Sequence, residues 1–372
     1  MDIYRMALRP LLFRLDPEWA HHQAMLACRL IARLPLALGI VEKLYGTRAN
    51  PRLATSVAGI HFPNPVGLSA GYDKNGNSVA VLSRMGFGYV DVGSVSLEPS
   101  SGNTARPRLF RLPADEALVV YYGVPNDGAA VVAGRFTDHP SRVPLGVTLV
   151  ETNTGRANEA SDVIAEIAAA AIPFRGLTDM IFISAACPNE TSGTRPFSDL
   201  DNLRRLFDKL GQHPNLPPVF LKIKAPANQI ERIVGIATAF PFIKGFQPSV
   251  GPPRPYVGLN TSAAVLASMP GSATGPHAKP YLLQCLKDWY ERLDPGRHVL
   301  IATGGIRCGA DAYDAIRAGA SLVGLVTALV YHGPGLARRV NVELSALLER
   351  DGYANVADAV GADRARRQRS VV

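Results

Sequence analysis

From residue 65 onward, short runs rich in β-branched and aromatic residues alternate with stretches of helical periodicity, and this alternation constrains the fold more than any other feature. The predicted strands are residues 66–68, 89–95, 145–150, 180–185, 219–223, 242–247, 298–302 and 322–326. The predicted helices are residues 78–85, 158–171, 199–210, 230–239, 280–293, 310–318 and 335–350. Eight alternations without a break in composition predict an α/β fold, a closed (β/α)8 TIM barrel. An open doubly wound sheet is the alternative, because a single sequence does not reveal the order of its strands.

Two long polar connections interrupt the alternation, at residues 97–142 and 250–275. Both follow the carboxyl end of a predicted strand, on the face where barrel enzymes build their active sites. Long connections in a compact barrel are more often functional than structural. We therefore expect both to contribute to a binding site.

The first 50 residues precede the barrel and have a helical pattern of their own. Asp16, Pro17 and Glu18 are typical of a helix start, with an N-cap acid, a proline at the first helical position and an acid near the positive end of the dipole. A shorter apolar segment follows Pro35. Two short apolar helices with basic residues could lie in a membrane interface and admit a lipid-soluble partner. The alternative is a helical hairpin packed on its own barrel or in a dimer interface. We divide the chain into a helical arm for the membrane and a lipid-soluble partner (1–50), a barrel (51–350) and a basic tail (351–372).

The chain has 39 Lys and Arg residues against 31 Asp and Glu residues, a formal net charge of +8, but the barrel itself is nearly neutral. The first 50 residues hold seven basic and four acidic side chains, and the last nine residues hold four arginines. Because a nucleic-acid groove needs a basic face on the body of a domain, we expect no nucleic-acid partner. Basic ends suit an anionic membrane surface instead.

The spacing of the cysteines and the composition of the apolar segments indicate the cellular compartment of the protein. The four cysteines are widely spaced, without a zinc-type cluster, which argues against a disulfide scaffold and against a metal site. We find no secretory signal, and the most apolar stretch, residues 24–41, is too broken by arginine and proline to span a bilayer. We expect a location on the cytoplasmic side, with peripheral association with the inner membrane.

Glycine-rich segments follow the first, seventh and eighth predicted strands. After the first strand, small residues let a flat ligand approach the backbone, and Lys74 could reach an anionic or carbonyl group. Gly304 and Gly305 follow the seventh strand and Thr327 follows the eighth, where barrels usually bind phosphate through backbone N–H groups. Ordinary turns are the alternative at both places.

Two further residues could carry chemistry. Lys222, within an apolar strand, would point a cation into the barrel mouth, where an anionic or electron-rich partner such as a reduced flavin ring would compensate it. Cys187 follows the fourth strand on a loop that contains proline and glycine, where a thiol of lowered pKa could serve as a base or nucleophile. A partly exposed lysine and an inert thiol are the alternatives.

Taken together, these segments resemble the dihydroorotate dehydrogenases, flavin enzymes of pyrimidine synthesis, in their membrane-associated, quinone-linked class. The resemblance covers almost the whole chain. It is carried by residues 11–18 (LLFRLDPE), 64–68 (NPVGL), 70–76 (AGYDKNG), 85–88 (MGFG), 102–103 (GN), 106–111 (RPRLFR), 304–306 (GGI) and 319–323 (GASLV).

The resemblance implies that FMN lies across the barrel mouth and that the arm admits a quinone to reoxidise it. The implied FMN ligands are Gly304, Gly305 and Thr327 at the phosphate, and Ala70, Gly71, Ser94 and Lys222 at the ring. The implied substrate ligands are Lys74 at the carboxylate and Asn189 at the ring. Cys187 would be the base that takes a proton from one ring carbon while hydride passes from its neighbour to flavin N5.

The chain departs from the family pattern at the substrate pocket. The quinone-linked class has serine as its base, whereas this chain has Cys187, as in the soluble class. Val120, Thr148 and Ser184 stand where the family has asparagines. An amide cage discriminates strongly, because its polar groups go unpaired with the wrong ligand. The loss of these amides should therefore weaken orotate binding by orders of magnitude.

Three functions are compatible with these residues. The first is an FMN-dependent dehydrogenase acting on dihydroorotate or a relative. The second is a paralogue in another pathway that keeps FMN and oxidises a C–C or C–N bond of a less polar dihydro compound or an amine-type substrate. The third is a non-catalytic descendant that binds flavin or membrane, against which the retained Lys74, Cys187, Asn189 and Lys222 argue. We favour a changed substrate with the flavin kept.

Overall fold

The computed structural model describes residues 3–138, 141–156, 158–185 and 196–364. The strands are β1 (Thr55–Val57), β2 (Ile60–Phe62), β3 (Val66–Leu68), β4 (Val90–Val95), β5 (Leu109–Leu112), β6 (Ala117–Val120), β7 (Leu145–Leu149), β8 (Met180–Ser184), β9 (Val219–Ile223), β10 (Ile243–Pro248), β11 (Ser272–Thr274), β12 (Val299–Thr303) and β13 (Ala320–Leu325). The α-helices are α1 (Arg9–Leu12), α2 (Pro17–Ala32), α3 (Pro35–Tyr45), α4 (Val79–Leu82), α5 (Ala129–Asp138), α6 (Ala160–Ala171), α7 (Leu200–Gly211), α8 (Ile230–Thr238), α9 (Ala263–Ala267), α10 (Lys279–Tyr290), α11 (Gly309–Arg317), α12 (Thr327–His332) and α13 (Leu336–Arg350).

Eight of these strands close into a parallel barrel, in the order β3, β4, β7, β8, β9, β10, β12, β13. Every residue of β7 and β8 is buried, which explains why strands covered on both faces appear in the sequence as continuous apolar runs. The barrel strands match the eight predicted strands, with ends that differ by no more than two residues. The predicted TIM barrel is therefore confirmed, and the open sheet is excluded.

Aromatic side chains fill the amino-terminal end of the barrel. Phe62 of β2 and Tyr89, just before β4, meet with ring centroids 5.9 Å apart. Phe182 and Phe220 stack at 5.4 Å in the neighbouring strands β8 and β9. The hairpin of β1 and β2, which the sequence pattern did not predict, supplies Phe62 to this cluster. Because this end is packed, a ligand site is left to the carboxyl ends of the strands.

The two long connections form one small sheet. Strands β5 and β6 come from the first connection and β11 from the second, and they pair antiparallel in the order β11, β6, β5. Ala273 lies opposite Val119 and Ser272 lies opposite Val120. This pairing joins residues about 150 positions apart in the sequence, so it could not be inferred from local pattern. It places β6 beside the barrel mouth.

The N-terminal arm begins as the sequence predicts and contains more helix than expected. Asp16 caps α2 by accepting a hydrogen bond from the Trp19 N–H at 2.8 Å, and α3 continues through Gly39. The π-helix Tyr4–Leu8 and α1 precede them and were not predicted. Helices α2 and α3 are bent by 116° to each other. Together they have the length and apolar composition of a membrane span, whereas none of the described helices has both by itself.

The arm is docked against the barrel mouth and keeps an apolar outer surface. Arg111 donates from Nη1 to the carbonyl oxygens of Leu12 at 3.0 Å and Leu15 at 2.9 Å, and Tyr4 donates its hydroxyl to the Val330 carbonyl at 2.6 Å. Large apolar side chains that stay exposed on the arm are Ile3, Met6, Leu8, Leu11, Leu15, Trp19, Leu26, Leu30, Leu34, Leu36, Ile40 and Leu44.

Candidate functional site

A cavity of about 890 Å³ opens at the carboxyl ends of the barrel strands. Its wall is formed by the loops after these strands, by both long connections and by α2 of the arm. Small-molecule sites typically enclose ~300–1,000 Å³, so this cavity can hold a cofactor together with a small substrate. It lies on the face where barrel enzymes carry out their chemistry.

The turn after β12 has the geometry of an anion cradle. Gly304 and Gly305 have φ angles of 110° and 72°, which residues with a side chain rarely adopt. No atom of the described residues lies within 4 Å of the position that a Cβ on Gly304 would take, so a ligand can approach this backbone closely. Thr327 follows the neighbouring strand β13, and its hydroxyl lies 3.2 Å from that of Thr274. These groups suit a phosphate.

Lys222 lies half-buried on the cavity wall, in β9. Its register partner in the neighbouring strand β8 is Ser184, which also lines the cavity. Among the described residues its ammonium group has neither a hydrogen-bond acceptor nor an ion-pair partner. Because a half-buried cation without a partner is costly, Lys222 is available to an anionic or electron-rich ligand.

Below the cavity floor lies Asp91, a buried acid that the sequence analysis missed. Its Oδ2 accepts hydrogen bonds from the Thr148 hydroxyl at 2.8 Å and from the Ala70 N–H at 3.2 Å. Burial raises the pKa of Asp91 to about 7, while the Thr148 hydrogen bond and the charge of Lys222 lower it. A charged residue inside an apolar strand was the signal that identified Lys222, and the same signal could have identified Asp91.

Lys74 lines the cavity beyond the end of β3. Its Nζ donates to the Gly71 carbonyl at 2.9 Å and lies 4.3 Å from the centre of the Tyr122 ring. Burial lowers the pKa of Lys74 to about 8, against the raising effect of Asp73 and Glu18. Lys74 is therefore mostly protonated at neutral pH and keeps N–H donors for an anionic group.

Comparison with known proteins decides the family. Residues 52–348 match the family model described as dihydroorotate dehydrogenase. The chain belongs to the dihydroorotate dehydrogenase family. The dihydroorotate dehydrogenase (quinone) of Acidithiobacillus ferrooxidans is 37% identical, over 95% of this chain and 98% of that protein. The protein of the same name from Thermobifida fusca is 35% identical, over 97% of each chain.

Solved structures agree with this family membership. The crystal structure of the dihydroorotate dehydrogenase from Eimeria tenella in complex with ferulenol has a TM-score of 0.79 and 30% sequence identity to this chain, covering 94% of this chain and 96% of the other. The ligand-free structure of the same enzyme has a TM-score of 0.80. The chain is thus an oxidoreductase of the dihydroorotate dehydrogenase type, similar to its quinone-linked class.

The structure brings most of the predicted dihydroorotate dehydrogenase site together around the cavity. The lining residues that were predicted are Ala70, Gly71, Ser94, Lys222, Gly304, Gly305 and Thr327 of the cofactor set, and Lys74, Val120 and Ser184 of the substrate set. Thr148 is not among the lining residues, because its hydroxyl is bonded to Asp91 below the floor. Cys187 and Asn189 lie outside the described residues.

Two lining residues were not anticipated. His21 of α2 meets the Tyr72 ring edge-on at 5.3 Å, and burial lowers the pKa of His21 to about 3, so it is neutral. Glu151, just after β7, is buried on the wall. No motif marks either residue, since their role depends on which surfaces the arm and α6 cover.

Proposed function

We propose that this chain is an FMN-dependent, quinone-linked dehydrogenase that removes two hydrogens from dihydroorotate or a related small molecule. One observation carries the proposal: a single cavity in a dihydroorotate dehydrogenase barrel has the Gly304–Gly305 cradle on one wall and Lys222, which forms no hydrogen bond or ion pair with the described residues, on another. The first group suits a phosphate and the second an electron-rich ring.

The residues present fit a flavin mononucleotide. Gly304, Gly305 and Thr327 would hold its phosphate, because the open space at Gly304 admits a bulky anion to the backbone. Ala70 and Gly71 carry little or no side chain, so a flat ring can lie against them. Ser94 and Lys222 would donate hydrogen bonds to the polar edge of the ring. When bound, the flavin supplies a two-electron acceptor for hydride.

The chain's own residues would bind the substrate and move a proton. Lys74 would bind a carboxylate and Asn189 a ring polar group, as the resemblance implies. The Sγ of Cys187, as the thiolate, would take the proton from one carbon while hydride leaves the neighbouring carbon, and a double bond forms between the two. An ordinary thiol has a pKa of about 8.5, so this role needs a surrounding that lowers the pKa of Cys187.

A specific observation favours a substrate other than dihydroorotate. Val120 lines the cavity where the family has an amide, and Thr148, which replaces a second amide, is turned to Asp91. Hydrogen-bonding capacity for a pyrimidine ring is reduced at both places. We therefore keep a paralogue with a changed substrate as the second candidate.

For the electron acceptor we propose a quinone that reaches the flavin through residues 1–50. Helix α2 contributes His21 to the cavity wall, while the outer faces of α2 and α3 carry exposed leucines. An apolar outer face connected to the cavity suits a lipid-soluble acceptor and peripheral contact with the inner membrane from the cytoplasmic side. The barrel (51–350) would then house the chemistry, and the basic tail (351–372) would add attraction to anionic lipid.

The test is spectroscopic. We expect the purified protein to be yellow and its flavin to be bleached anaerobically by its substrate. With dihydroorotate as the reductant, Cys187→Ala should bind flavin and fail to bleach. Cys285→Ala is the matched control, since Cys285 lies in α10 and does not line the cavity. A wild-type flavin that millimolar dihydroorotate does not bleach excludes the parent substrate. A colourless protein that rejects added FMN would leave only a non-catalytic descendant.

A further inference from the structure

Glu151 is a cavity-lining carboxylate with one buried oxygen that accepts no hydrogen bond from the described residues. Glu151 follows β7, is 6% exposed and lies on the cavity wall. Its Oε2 has no hydrogen-bond partner, and no Lys, Arg or His in the described part of the chain forms an ion pair with it. A carboxylate removed from water without a donor or a cation is costly. A ligand that supplies such a group would compensate it.

A second acid lies behind Glu151 and is satisfied by its own neighbours. Glu166 of α6 accepts hydrogen bonds from the Thr152 N–H at 2.8 Å and from the Thr152 hydroxyl. Burial raises the pKa of Glu166, and the negative charge of Glu151 raises it further, whereas the Thr152 hydrogen bonds lower it. Glu166 therefore has its partners within the protein, and Glu151 is the member of the pair that lines the cavity and is left for a ligand.

The barrel order places Glu151 away from the phosphate cradle. Strand β7 is four positions from β12 around the eight-stranded barrel, on the opposite side. The Gly304–Gly305 turn follows β12, so Glu151 faces it across the cavity. Lys222, in β9, is two strands from each. Glu151 therefore lies at the end of the cavity that the cofactor phosphate would leave free.

Apart from Glu151 itself, Ser184 and Ser198, the side chains that line the cavity on β7, α6, β8 and the described residues up to Leu200 are apolar. Val150 precedes Glu151, Val163 and Ile167 lie one helical turn apart on α6, and Phe197 follows β8 along the chain. A hard metal ion would need several oxygen ligands, and the described residues contain no group of three or more acids, histidines and cysteines that could hold one. One carboxylate on an apolar wall suits an organic cation.

We propose that Glu151 binds a protonated amine of the substrate, so that the enzyme dehydrogenates an organic ammonium compound. This inference rests on the proposed function and names the substrate class of the same site. The N–H groups of the ammonium would donate to the Glu151 carboxylate, and its carbon skeleton would pack on Val150, Val163 and Ile167. Dihydroorotate carries no cation and leaves Glu151 without a partner.

The test compares two probes of one size on the holoprotein, n-butylammonium and n-butanol, each titrated by ligand-observed NMR. A charge-assisted hydrogen bond contributes ~1.5–3 kcal/mol, so wild type should bind butylammonium about 10- to 100-fold more tightly than butanol. Glu151→Gln should bring the two to within about threefold. Glu151→Asp should keep a preference for the cation. Glu159→Gln, which removes an exposed acid before α6, should behave as wild type.

Several outcomes would overturn the inference. Equal affinity of the wild-type protein for butylammonium and butanol is enough to refute the inference. This result needs no variant, so the inference can be refuted even if Glu151→Gln folds poorly. An undiminished preference in Glu151→Gln also refutes it. If dihydroorotate bleaches the flavin but the protein shows no preference for the cation, the proposed function is supported and this inference is refuted. If the protein is colourless but prefers the cation, the amine site is supported and the proposed function is refuted.

Discussion

Glu18 ties the arm to the barrel mouth through two arginines, and its replacement by glutamine should loosen the arm. Its carboxylate accepts from Arg108 Nε at 3.3 Å and from Arg108 Nη2, and it pairs with Arg106 Nη1 at 3.0 Å. The side chain of Arg108 is 6% exposed and that of Glu18 is 21% exposed, so Glu18→Gln leaves a buried guanidinium without its anion. Breaking a buried pair in this way costs ~3–5 kcal/mol. Arg108 keeps the carbonyls of Ser101 and Asn103 as acceptors, at 2.7 and 3.1 Å, so we expect the lower end, about 3 kcal/mol.

Hydrogen exchange of arm peptides measures this loss directly. A decrease of about 3 kcal/mol in the free energy of local opening corresponds to exchange about 100-fold faster over residues 17–45, with barrel peptides unchanged. Glu42→Gln is the matched control in α3, because its pair with Arg84 spans 3.7 Å and its side chain is 47% exposed. Such a pair contributes less than about 1 kcal/mol. Unchanged arm exchange in Glu18→Gln, or equal acceleration in Glu42→Gln, would refute this account of how the arm is held.

Three further predictions concern flavin, pH and membrane. Lys222→Met should weaken FMN binding about 10- to 100-fold in a fluorescence titration, because a charge-assisted contact is lost. The control Lys209→Met, at an exposed residue of α7 that does not line the cavity, should bind FMN as wild type does. Equal affinities of Lys222→Met and wild type would remove Lys222 from the flavin site. Since burial places the pKa of Lys74 at about 8, its cation is present below that pH and lost above it. The affinity for orotate should therefore be constant below about pH 7 and fall roughly tenfold per pH unit well above pH 8. An affinity that does not change up to pH 10 would contradict carboxylate binding by Lys74. The arm residue Leu36 is 86% exposed, so Leu36→Glu should reduce co-sedimentation of the protein with anionic liposomes. Val342→Glu, on barrel helix α13, is the control and should not reduce it. Co-sedimentation that Leu36→Glu leaves unchanged would favour the arm as a packing element.

The barrel was predictable because its pattern is local and repeated. Each buried strand is a short apolar run, and each following helix shows its own periodicity, so β7 and β8 emerge from a few residues apiece. The sheet of β5, β6 and β11 was not predictable, since its pairing joins two distant connections. The segment before Asp16 was missed for another reason. Its helices are short and leave leucines exposed, and their order depends on contacts with the barrel such as that of Tyr4 with Val330.

The site residues also divide into those that the sequence predicts and those that depend on non-local packing. Lys222 was found because a charge inside an apolar strand is unusual, and Gly304 and Gly305 because glycines at the ends of neighbouring barrel strands form a known anion geometry. Glu151 gave no such signal, because an acid just past a strand end is ordinary in a loop. Its burial arises from non-local packing that includes α6, whose Val163 and Ile167 line the same cavity. Non-local packing, rather than residue type, makes it a candidate ligand.

The polarity of the cavity indicates how its specificity would be achieved. An amide-lined pocket selects a ring by pairing every carbonyl and N–H, and it rejects analogues because its own amides go unpaired. Here Val120 offers no such pairing, and the Thr148 hydroxyl is already bonded to Asp91. The charged groups that line the cavity beyond the proposed flavin ligands include Lys74 at one place and Glu151 at another, besides the ion-paired Glu116 and Arg307 and the exposed Lys224. Opposite charges at two fixed points recognise a ligand by the spacing of its own charges, and they tolerate variation in the skeleton between them. We therefore infer that this cavity distinguishes substrates by charge placement more than by ring hydrogen bonding.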